Sequence, residues 1–286
     1  MSTEFFKPLE LADATKRMGQ YGARAAIVNG GTDIVIEIAH RRISPAAIVY
    51  VQGIKELQGI RRDGEYLVLG GAVTYLQMQD SPICQRVTGL MAALSRLGSP
   101  PVRAVATPAG NIGTAAPSAD CTTMLMALEA EVVLASTGGE RGVPLEKFFL
   151  GRGKTELHPD EIIKEIRFPA PETNFGTGYA RVARRKAQDI GKALCGVSLH
   201  LENNICSHAA VSLGALNATC VRATSIEKAI VGLNRADSVS YAQEHFPLEA
   251  GLRESYFKHY KELVTTSVVA RALDMAWESA ERAKGE

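Results

Sequence analysis

The chain has 286 residues, of which 46% are hydrophobic, and a formal net charge of +1 at pH 7. This composition suffices for one large domain or a few small ones, and the lack of a basic excess argues against nucleic-acid binding. No apolar run reaches the roughly 18 residues of a membrane span, and the N-terminus lacks the regions of a signal peptide. We therefore expect no membrane span and a cytoplasmic location.

The first part of the chain predicts a small α/β subdomain that ends near Gln52, followed by a second set of elements. The predicted elements are a helix over 8–18, a strand over 25–28, a helix from 34, a strand over 48–51, a strand over 66–71, a short helix capped by Thr74, and a longer helix from Ser81 with Leu90, Leu94 and Leu97 on one face. They continue with a helix over 121–128, a strand over 131–135, a turn over 138–142 and a strand over 161–168.

Residues 169–178, rich in Pro, Gly, Thr and Asn, predict the boundary to a C-terminal domain. The elements predicted there are antiparallel strands over 179–184, 194–201 and 205–213, and helices over 224–233, near Ser240 and over 259–283, the last with Leu263, Ser267, Ala270, Leu273 and Trp277 near one face.

A run of small residues follows the predicted strand 25–28 and precedes a helix. Its adjacent glycines, Gly30 and Gly31, can present backbone N–H groups to a phosphate. The run matches neither the G-x-G-x-x-G nor the G-x-x-x-x-G-K-[ST] pattern, so a Rossmann domain or a nucleoside triphosphatase is not indicated.

A second run of small residues, 107–120, has no hydrophobic periodicity and predicts a loop. It can offer main-chain N–H groups to an anion, with Asp120 placed to accept hydrogen bonds from a ribose. Taken alone, a tight polar surface loop without a ligand remains an equal alternative.

Metal, disulfide and hydrolytic sites are not indicated. The five cysteines and six histidines are scattered, without C-x-x-C or H-E-x-x-H spacing, which is typical of reduced thiols rather than an iron–sulfur or zinc site. His200 and His208 can face each other across the predicted hairpin, where packing is the expected role.

The two runs together resemble the FAD-binding (medium) subunit of the molybdenum hydroxylase family, of the xanthine dehydrogenase and carbon monoxide dehydrogenase type. The matching motifs are x-G-G-T-D-[LI], a T-x-G-G-N-I segment in which Ala109 replaces the first glycine, and Y-x-K-x-x-x-R-K-A-x-D-I over 179–190, in which Arg181 replaces the lysine. Alanine at 109 costs little if its φ is negative.

The resemblance implies an α+β fold: a two-subdomain FAD-binding domain of the vanillyl-alcohol-oxidase/cell-wall reductase (PCMH) type, plus a small C-terminal domain with a three-stranded antiparallel sheet and helices. The implied domains are residues 1–172, with subdomains of about 1–52 and 53–172, and residues 173–286, of the CO dehydrogenase flavoprotein type.

The resemblance also assigns cofactor contacts. The pyrophosphate would lie on Ile27, Val28, Asn29, Gly30, Gly31, Thr32, Asp33 and Ile34; the flavin and pyrophosphate on Thr107, Pro108, Ala109, Gly110 and Asn111; the adenosine end on Asp120; and apolar contacts on Leu97 and Ile163. Arg181 would stabilise reduced flavin, or instead form a solvated basic edge. Arg184, Arg185 and Lys186 would serve solubility, salt bridges or a subunit contact.

The function implied by the resemblance is electron transfer. Electrons would pass from [2Fe–2S] clusters on a small partner subunit through FAD to an external acceptor such as NAD, after hydroxylation at a molybdopterin centre on a large partner subunit. No catalytic side chain and no metal is expected on this chain. The alternatives are a self-contained FAD-dependent reductase or oxidase of the same fold, and a non-redox nucleotide-binding or scaffold protein.

Overall fold

A computed structural model of the protein describes residues 3–185, 188–252 and 258–283. The strands in these ranges are β1 (Glu4–Phe6), β2 (Ala25–Val28), β3 (Ala47–Tyr50), β4 (Ile60–Asp63), β5 (Tyr66–Gly70), β6 (Glu131–Ser136), β7 (Gly139–Pro144), β8 (Phe149–Gly151), β9 (Lys154–Thr155), β10 (Ile162–Pro169), β11 (Phe175–Val182), β12 (Ala193–Glu202), β13 (Ile205–Gly214) and β14 (Val221–Arg222). The helices are α1 (Leu11–Tyr21), α2 (Ile34–Ala39), α3 (Tyr75–Asp80), α4 (Pro82–Gln85), α5 (Thr88–Arg96), α6 (Pro100–Arg103), α7 (Pro108–Thr114), α8 (Asp120–Ala127), α9 (Leu145–Phe148), α10 (Thr224–Ile230), α11 (Arg235–Glu244) and α12 (Lys258–Ala283). Among the described helices, none combines the length and apolarity needed to cross a membrane.

A small parallel sheet forms the N-terminal layer, with the strand order β1-β3-β2. β2 and β3 are paired in parallel from Ala25↔Ala47 to Val28↔Tyr50, as a β-α-β unit requires. Ala14 and Met18 of α1 are buried in the cluster that also contains Val49 of β3. The predicted β-α-β unit is therefore present, with β1 as an additional edge strand.

A five-stranded antiparallel sheet, β4-β5-β10-β6-β7, forms the second layer. A register shift interrupts the pairing of β10 with β6 between Ile163 and Glu165. Helix α3 begins as predicted, because Thr74 and Gln77 form a reciprocal capping box.

The C-terminal part contains a four-stranded antiparallel sheet, β11-β12-β13-β14, between two layers of helices. The three long strands were predicted, and the two-residue strand β14 extends them. Helix α12 lies so close to β11 that a Cβ added at Gly178 would lie 2.0 Å from the carbonyl oxygen of Ala272. On the opposite side, Ser198 Oγ and Ser212 Oγ donate to carbonyl oxygens of α8, at 2.7 Å and 2.5 Å.

Several predicted boundaries are wrong. The helix predicted from Ser81 is two helices, α4 and α5, because the backbone turns at Val87 to bury that side chain completely. The predicted turn over 138–142 mostly belongs to β7, and β11 begins at Phe175, inside the segment 169–178 predicted as a boundary loop. The domain division at 172/173 itself stays a prediction.

Two residues of the predicted apolar face of α12 are exposed, Leu263 and Ser267. The reason lies in the helix geometry. Nine residues rotate a helix by about 180°, so Leu263 lies opposite Ala272 and Ser267 opposite Ala276. Ala272 and Ala276 are the residues that meet β11, since their carbonyl oxygens lie closest to Gly178 and Gly176.

Candidate functional site

The loop between β2 and α2 leaves a series of backbone donors without partners. Within the part of the chain that the structure describes, no hydrogen bond is donated by the N–H groups of five consecutive residues, Gly30, Gly31, Thr32, Asp33 and Ile34. Consecutive free N–H groups of this kind form an anion-binding concavity. Gly31 has φ +72°, a left-handed conformation that glycine adopts without strain.

The two runs of small residues meet in space. A Cβ added at Gly30 would lie 2.0 Å from the carbonyl oxygen of Val105 and 2.9 Å from Cα of Ala106. The next residue, Thr107, caps α7 by accepting a hydrogen bond from the N–H of Gly110 at 3.0 Å. The loop 29–33 and the start of α7 therefore line one region, in direct backbone contact.

The second run is a helix rather than a loop over part of its length, which corrects the prediction. Thr107 and Pro108 occupy the N-cap and the first helical position, where these residue types are favoured. Thr107, Pro108 and Ala109 are buried, so the start of the run is not a surface loop, whereas Gly110, Gly113 and Thr114 are exposed. Ala109 lies within α7 and is not among the residues with positive φ, which explains why alanine is accepted there.

Asn111 and Asp120 are connected through α8. The Asn111 Oδ1 atom accepts a hydrogen bond from Thr122 Oγ1 at 2.9 Å, and Thr122 lies in the first turn of α8, which begins at Asp120. This contact places the carboxylate of Asp120 at the end of α8 that faces α7.

Asp120 is part of a buried charged cluster. Its Oδ1 atom accepts hydrogen bonds from the Tyr179 hydroxyl at 2.5 Å and from the Arg181 guanidinium at 2.6 Å. The side chains of Arg181 and Asp120 are only 7% and 11% exposed. Burial, reinforced by the Asp120 carboxylate, raises the pKa of Tyr179 well above its usual value, so the hydroxyl stays protonated and donates.

Arg181 is not a solvated basic edge, so that alternative is wrong. A second guanidinium nitrogen donates to the carbonyl oxygen of Asp189 at 2.6 Å, so two partners fix the orientation of the guanidinium group. By contrast, Arg184 and Arg185 are 77% and 69% exposed and lie within 4 Å of the Asp189 carboxylate. Lys186, predicted as part of this edge, lies outside the described residues.

Ile163 belongs to the hydrophobic core cluster that also contains Leu90 and Met124, and Leu97 packs against this core. Leu97 follows α5, packs partly buried against that core, and its carbonyl oxygen accepts a hydrogen bond from Arg103 at 3.0 Å. Ile163 is buried at the irregular position in β10, and its carbonyl oxygen would lie 2.1 Å from a Cβ added at Gly71.

Tyr179 is a site residue that sequence reasoning missed. Side chains two apart on a strand share one face, so the placement of Arg181 on a strand already carried the signal for Tyr179. The contact between Gly30 and Val105 had no comparable signal, since nothing in a sequence shows which residue fills the space beside a glycine.

Thiol and metal chemistry receive no support from the described residues. All five cysteines are free and buried. Burial raises the pKa of the Cys84, Cys206 and Cys220 thiols to about 11 and that of Cys121 to about 12. Across residues 3–185, 188–252 and 258–283, no group of three or more His, Cys, Asp or Glu residues could hold a metal ion.

Comparison with known proteins gives consistent matches over most of the chain. A family model described as the FAD binding domain in molybdopterin dehydrogenase matches residues 1–171, and one described as the CO dehydrogenase flavoprotein C-terminal domain matches residues 179–276. The putative xanthine dehydrogenase FAD-binding subunit of Escherichia coli K12 is 30% identical, with 95% of this chain and 96% of that protein covered. The nicotinate dehydrogenase FAD-subunit of Eubacterium barkeri is 31% identical, with 80% and 79% covered.

A solved structure of similar fold is carbon monoxide dehydrogenase from Hydrogenophaga pseudoflava. It superposes on this chain with a TM-score of 0.88 at 29% identity, covering 98% of each chain.

Proposed function

Because the chain belongs to the family of FAD-binding subunits of molybdenum hydroxylases, we propose that it binds FAD where the loop 29–33 meets α7 and relays electrons through it. The electrons would come from [2Fe–2S] clusters of a small partner subunit and leave to an external acceptor such as NAD. Hydroxylation of the substrate would take place at a molybdopterin centre on a large partner subunit. These partner assignments rest on relatives named as FAD-binding subunits and medium chains of dehydrogenases.

The observation that carries the proposal is the run of free N–H groups from Gly30 to Ile34, in backbone contact with the segment that leads into α7. A pyrophosphate needs several donors within reach and a backbone without side chains in the way. The loop offers five such donors, and the first two belong to glycines, of which Gly30 packs against the Val105 backbone. The residues present therefore fit a dinucleotide.

We propose these contacts for the cofactor. The residues for the pyrophosphate are Ile27, Val28, Asn29, Gly30, Gly31, Thr32, Asp33 and Ile34. Those for the flavin and pyrophosphate are Thr107, Pro108, Ala109, Gly110 and Asn111, with Leu97 and Ile163 as apolar contacts.

Asp120 and Arg181 form one ion pair, which bears on the cofactor contacts proposed for each of them. An extended FAD cannot bring both its adenosine ribose and its flavin ring to one ion pair, so the separate roles expected for these residues exclude each other. The hydrogen bond between Thr122 and Asn111 links the pair to the segment proposed for the flavin. We therefore propose that Asp120 and Arg181 act together on the flavin side of the cofactor.

FAD supplies the electron-transfer chemistry, and the residues of this chain bind, orient and tune it. Free N–H groups of the loop compensate the phosphate charges. The Asp120 carboxylate, neutralised by Arg181 and held by the Tyr179 hydroxyl, keeps a fixed charge distribution beside the site. The proposal assigns no side chain of this protein an acid–base role in substrate oxidation.

The purified full chain tests the function. We expect it to release FAD on heating, to contain neither molybdenum nor iron, and to pass electrons from reduced nicotinamide to artificial dyes. Hydroxylation of heterocycles or aldehydes is expected only after the iron–sulfur and molybdenum subunits are added. Substrate oxidation by the lone chain at the rate of the complex would instead support a self-contained flavoenzyme, and FMN as the sole flavin would contradict the cofactor assignment.

A further inference from the structure

The side chain of Asn29 makes a long-range contact directly before the free N–H groups. Its Nδ2 atom donates to the carbonyl oxygen of Gly71 at 2.6 Å, across 42 positions of sequence. Its Oδ1 atom is buried and has no hydrogen-bond partner among the described residues. Among the described residues, the side chain therefore makes one hydrogen bond, to the backbone directly after β5 of the five-stranded sheet.

Gly71 is itself held in place by backbone contacts with β10. Its own N–H donates to the carbonyl oxygen of Lys164 at 2.7 Å. A Cβ added at Gly71 would lie 2.1 Å from the carbonyl oxygen of Ile163, so the two backbones are in contact. Whatever binds to Gly71 is thus held relative to β10.

Few hydrogen bonds hold the loop 29–33 in place. Its N–H groups from Gly30 to Ile34 make none among the described residues, α2, which follows, has no buried residue, and the close contact is that of Gly30 with the Val105 backbone. A loop whose donors must stay free for a ligand cannot be stabilised by those donors. The Asn29 side chain supplies a hydrogen-bonded attachment, in addition to the backbone contact of Gly30 with Val105.

We propose that Asn29 is a positioning residue that fixes the loop against Gly71, so that the N–H groups are arranged before the cofactor arrives. The pyrophosphate contact proposed for Asn29 is then one of its main chain, while its side chain acts on the loop backbone. This inference rests on the proposed function for the identity of the ligand, whereas the brace itself is a property of the ligand-free chain.

Gln52 is a matched control for Asn29. Its Nε2 atom donates to the carbonyl oxygen of Ala72, the next residue, at 2.9 Å, and its Oε1 atom is also buried without a partner among the described residues. Gln52 follows β3, so it joins the same two parts of the molecule without belonging to the loop. Loss of either side chain removes one hydrogen bond and one unsatisfied oxygen, and similar small stability changes are expected.

The test compares Asn29→Ala, the size-matched Asn29→Leu and Gln52→Ala in the full chain. The N–H groups of residues 35–37 donate to the loop carbonyl oxygens of Gly31 and Asp33, so their exchange reports on the position of the loop. Amide hydrogen exchange without added FAD is expected to become about five- to tenfold faster at residues 35–37 in both Asn29 variants, because one hydrogen bond that holds the loop is lost, and to stay unchanged there in Gln52→Ala. FAD titration is expected to show a dissociation constant about five- to tenfold higher in the Asn29 variants only.

Unchanged exchange at residues 35–37 in the Asn29 variants would overturn the brace, even if FAD affinity falls, because it would make the Asn29 side chain a direct cofactor contact. Equal effects of Gln52→Ala on exchange at these residues would also overturn it, because the effect would then be general loosening. Failure of the unsubstituted chain to bind FAD would refute the proposed function, while the exchange measurement would still decide whether Asn29 braces the loop.

Discussion

At the scale of single residues, the site depends on how closely two backbones approach at Gly30. The substitution Gly30→Ala puts a methyl group within 2.0 Å of the Val105 carbonyl oxygen, which cannot move away without displacing Ala106 and Thr107. We expect FAD affinity to fall by about 10- to 100-fold, equivalent to an overpacking cost of about 1–3 kcal/mol. Titration of flavin fluorescence measures this loss.

Gly113→Ala is the matched control for this substitution. Gly113 lies in α7, close to the same region, but a Cβ added there meets no atom within 4 Å. An exposed helical Gly→Ala change is expected to stabilise slightly and to leave FAD affinity unchanged. If both variants bind FAD as the unsubstituted chain does, the approach of Gly30 to Val105 is not part of the cofactor site.

The Asp120–Arg181 pair predicts an electrostatic effect on the flavin. Arg181→Gln removes a positive charge and leaves the buried Asp120 carboxylate unpaired, so the reduced, anionic flavin becomes less stable and the reduction potential falls. The same change is expected to destabilise the fold by about 3 kcal/mol. The double variant Arg181→Gln/Asp120→Asn restores the net charge, and its potential is expected to return toward the original value. Spectroelectrochemical titration of all three proteins measures this, and equal potentials would make the pair purely structural.

At the scale of elements, β11 and α12 pack without a layer of side chains between them. Gly178→Ala puts a methyl group 2.0 Å from the Ala272 carbonyl oxygen and 2.7 Å from the Ala276 nitrogen, both backbone atoms of a helix. We expect α12 to shift, with a loss of about 1–3 kcal/mol and a lower Tm. Gly53→Ala serves as the control, because no atom lies within 4 Å of its added Cβ. Equal Tm values for both variants would show that α12 adjusts without cost.

The elements also show where sequence reasoning succeeds. Strands over 194–201 and 205–213 were predicted because their alternation and the Asn203–Asn204 turn are local signals, and the structure pairs His200 with His208 across that hairpin. Helix α7 was missed because its small residues have no apolar period, although Thr107 and Pro108 are helix-start signals. Leu263 was predicted near the apolar face of the last helix but is exposed. The sequence shows that this helix has an apolar face, but not which side of the helix packs against the sheet.

For the site, the residue types could be predicted and the pairings could not. Gly30 and Gly31 were assigned from local pattern and Thr107 from the family resemblance, and Gly30 packs against Val105, two residues before Thr107. The pair between Asp120 and Arg181 spans 61 positions and depends on how β11 docks beside α8, which only the folded chain specifies.

At the scale of the whole molecule, the core does not stop at the predicted boundary between 172 and 173. The buried cluster that contains Leu90 and Met124 also includes Phe175, Tyr179 and Leu194 from the C-terminal sheet. We expect the full chain to unfold in a single cooperative transition, and residues 1–172 alone to expose this cluster and fail to bind FAD. Thermal unfolding followed by near- and far-UV circular dichroism tests this, and two separated transitions would contradict it.

The five buried thiols couple the stability of the fold to alkaline pH. Burial raises the pKa of Cys84 from 9.0 to about 11, so between these values the unfolded chain loses a proton that the folded chain keeps. The contribution is fully present below pH 9 and is lost as pH rises toward 11, by up to about 1.4 kcal/mol per pH unit for each such thiol. Denaturant midpoints at pH 8 and pH 10 are expected to differ less in Cys84→Ala than in the unsubstituted chain, and an equal difference would show that Cys84 titrates normally. Proton loss from buried thiols on unfolding would then limit the alkaline range in which the cofactor stays bound.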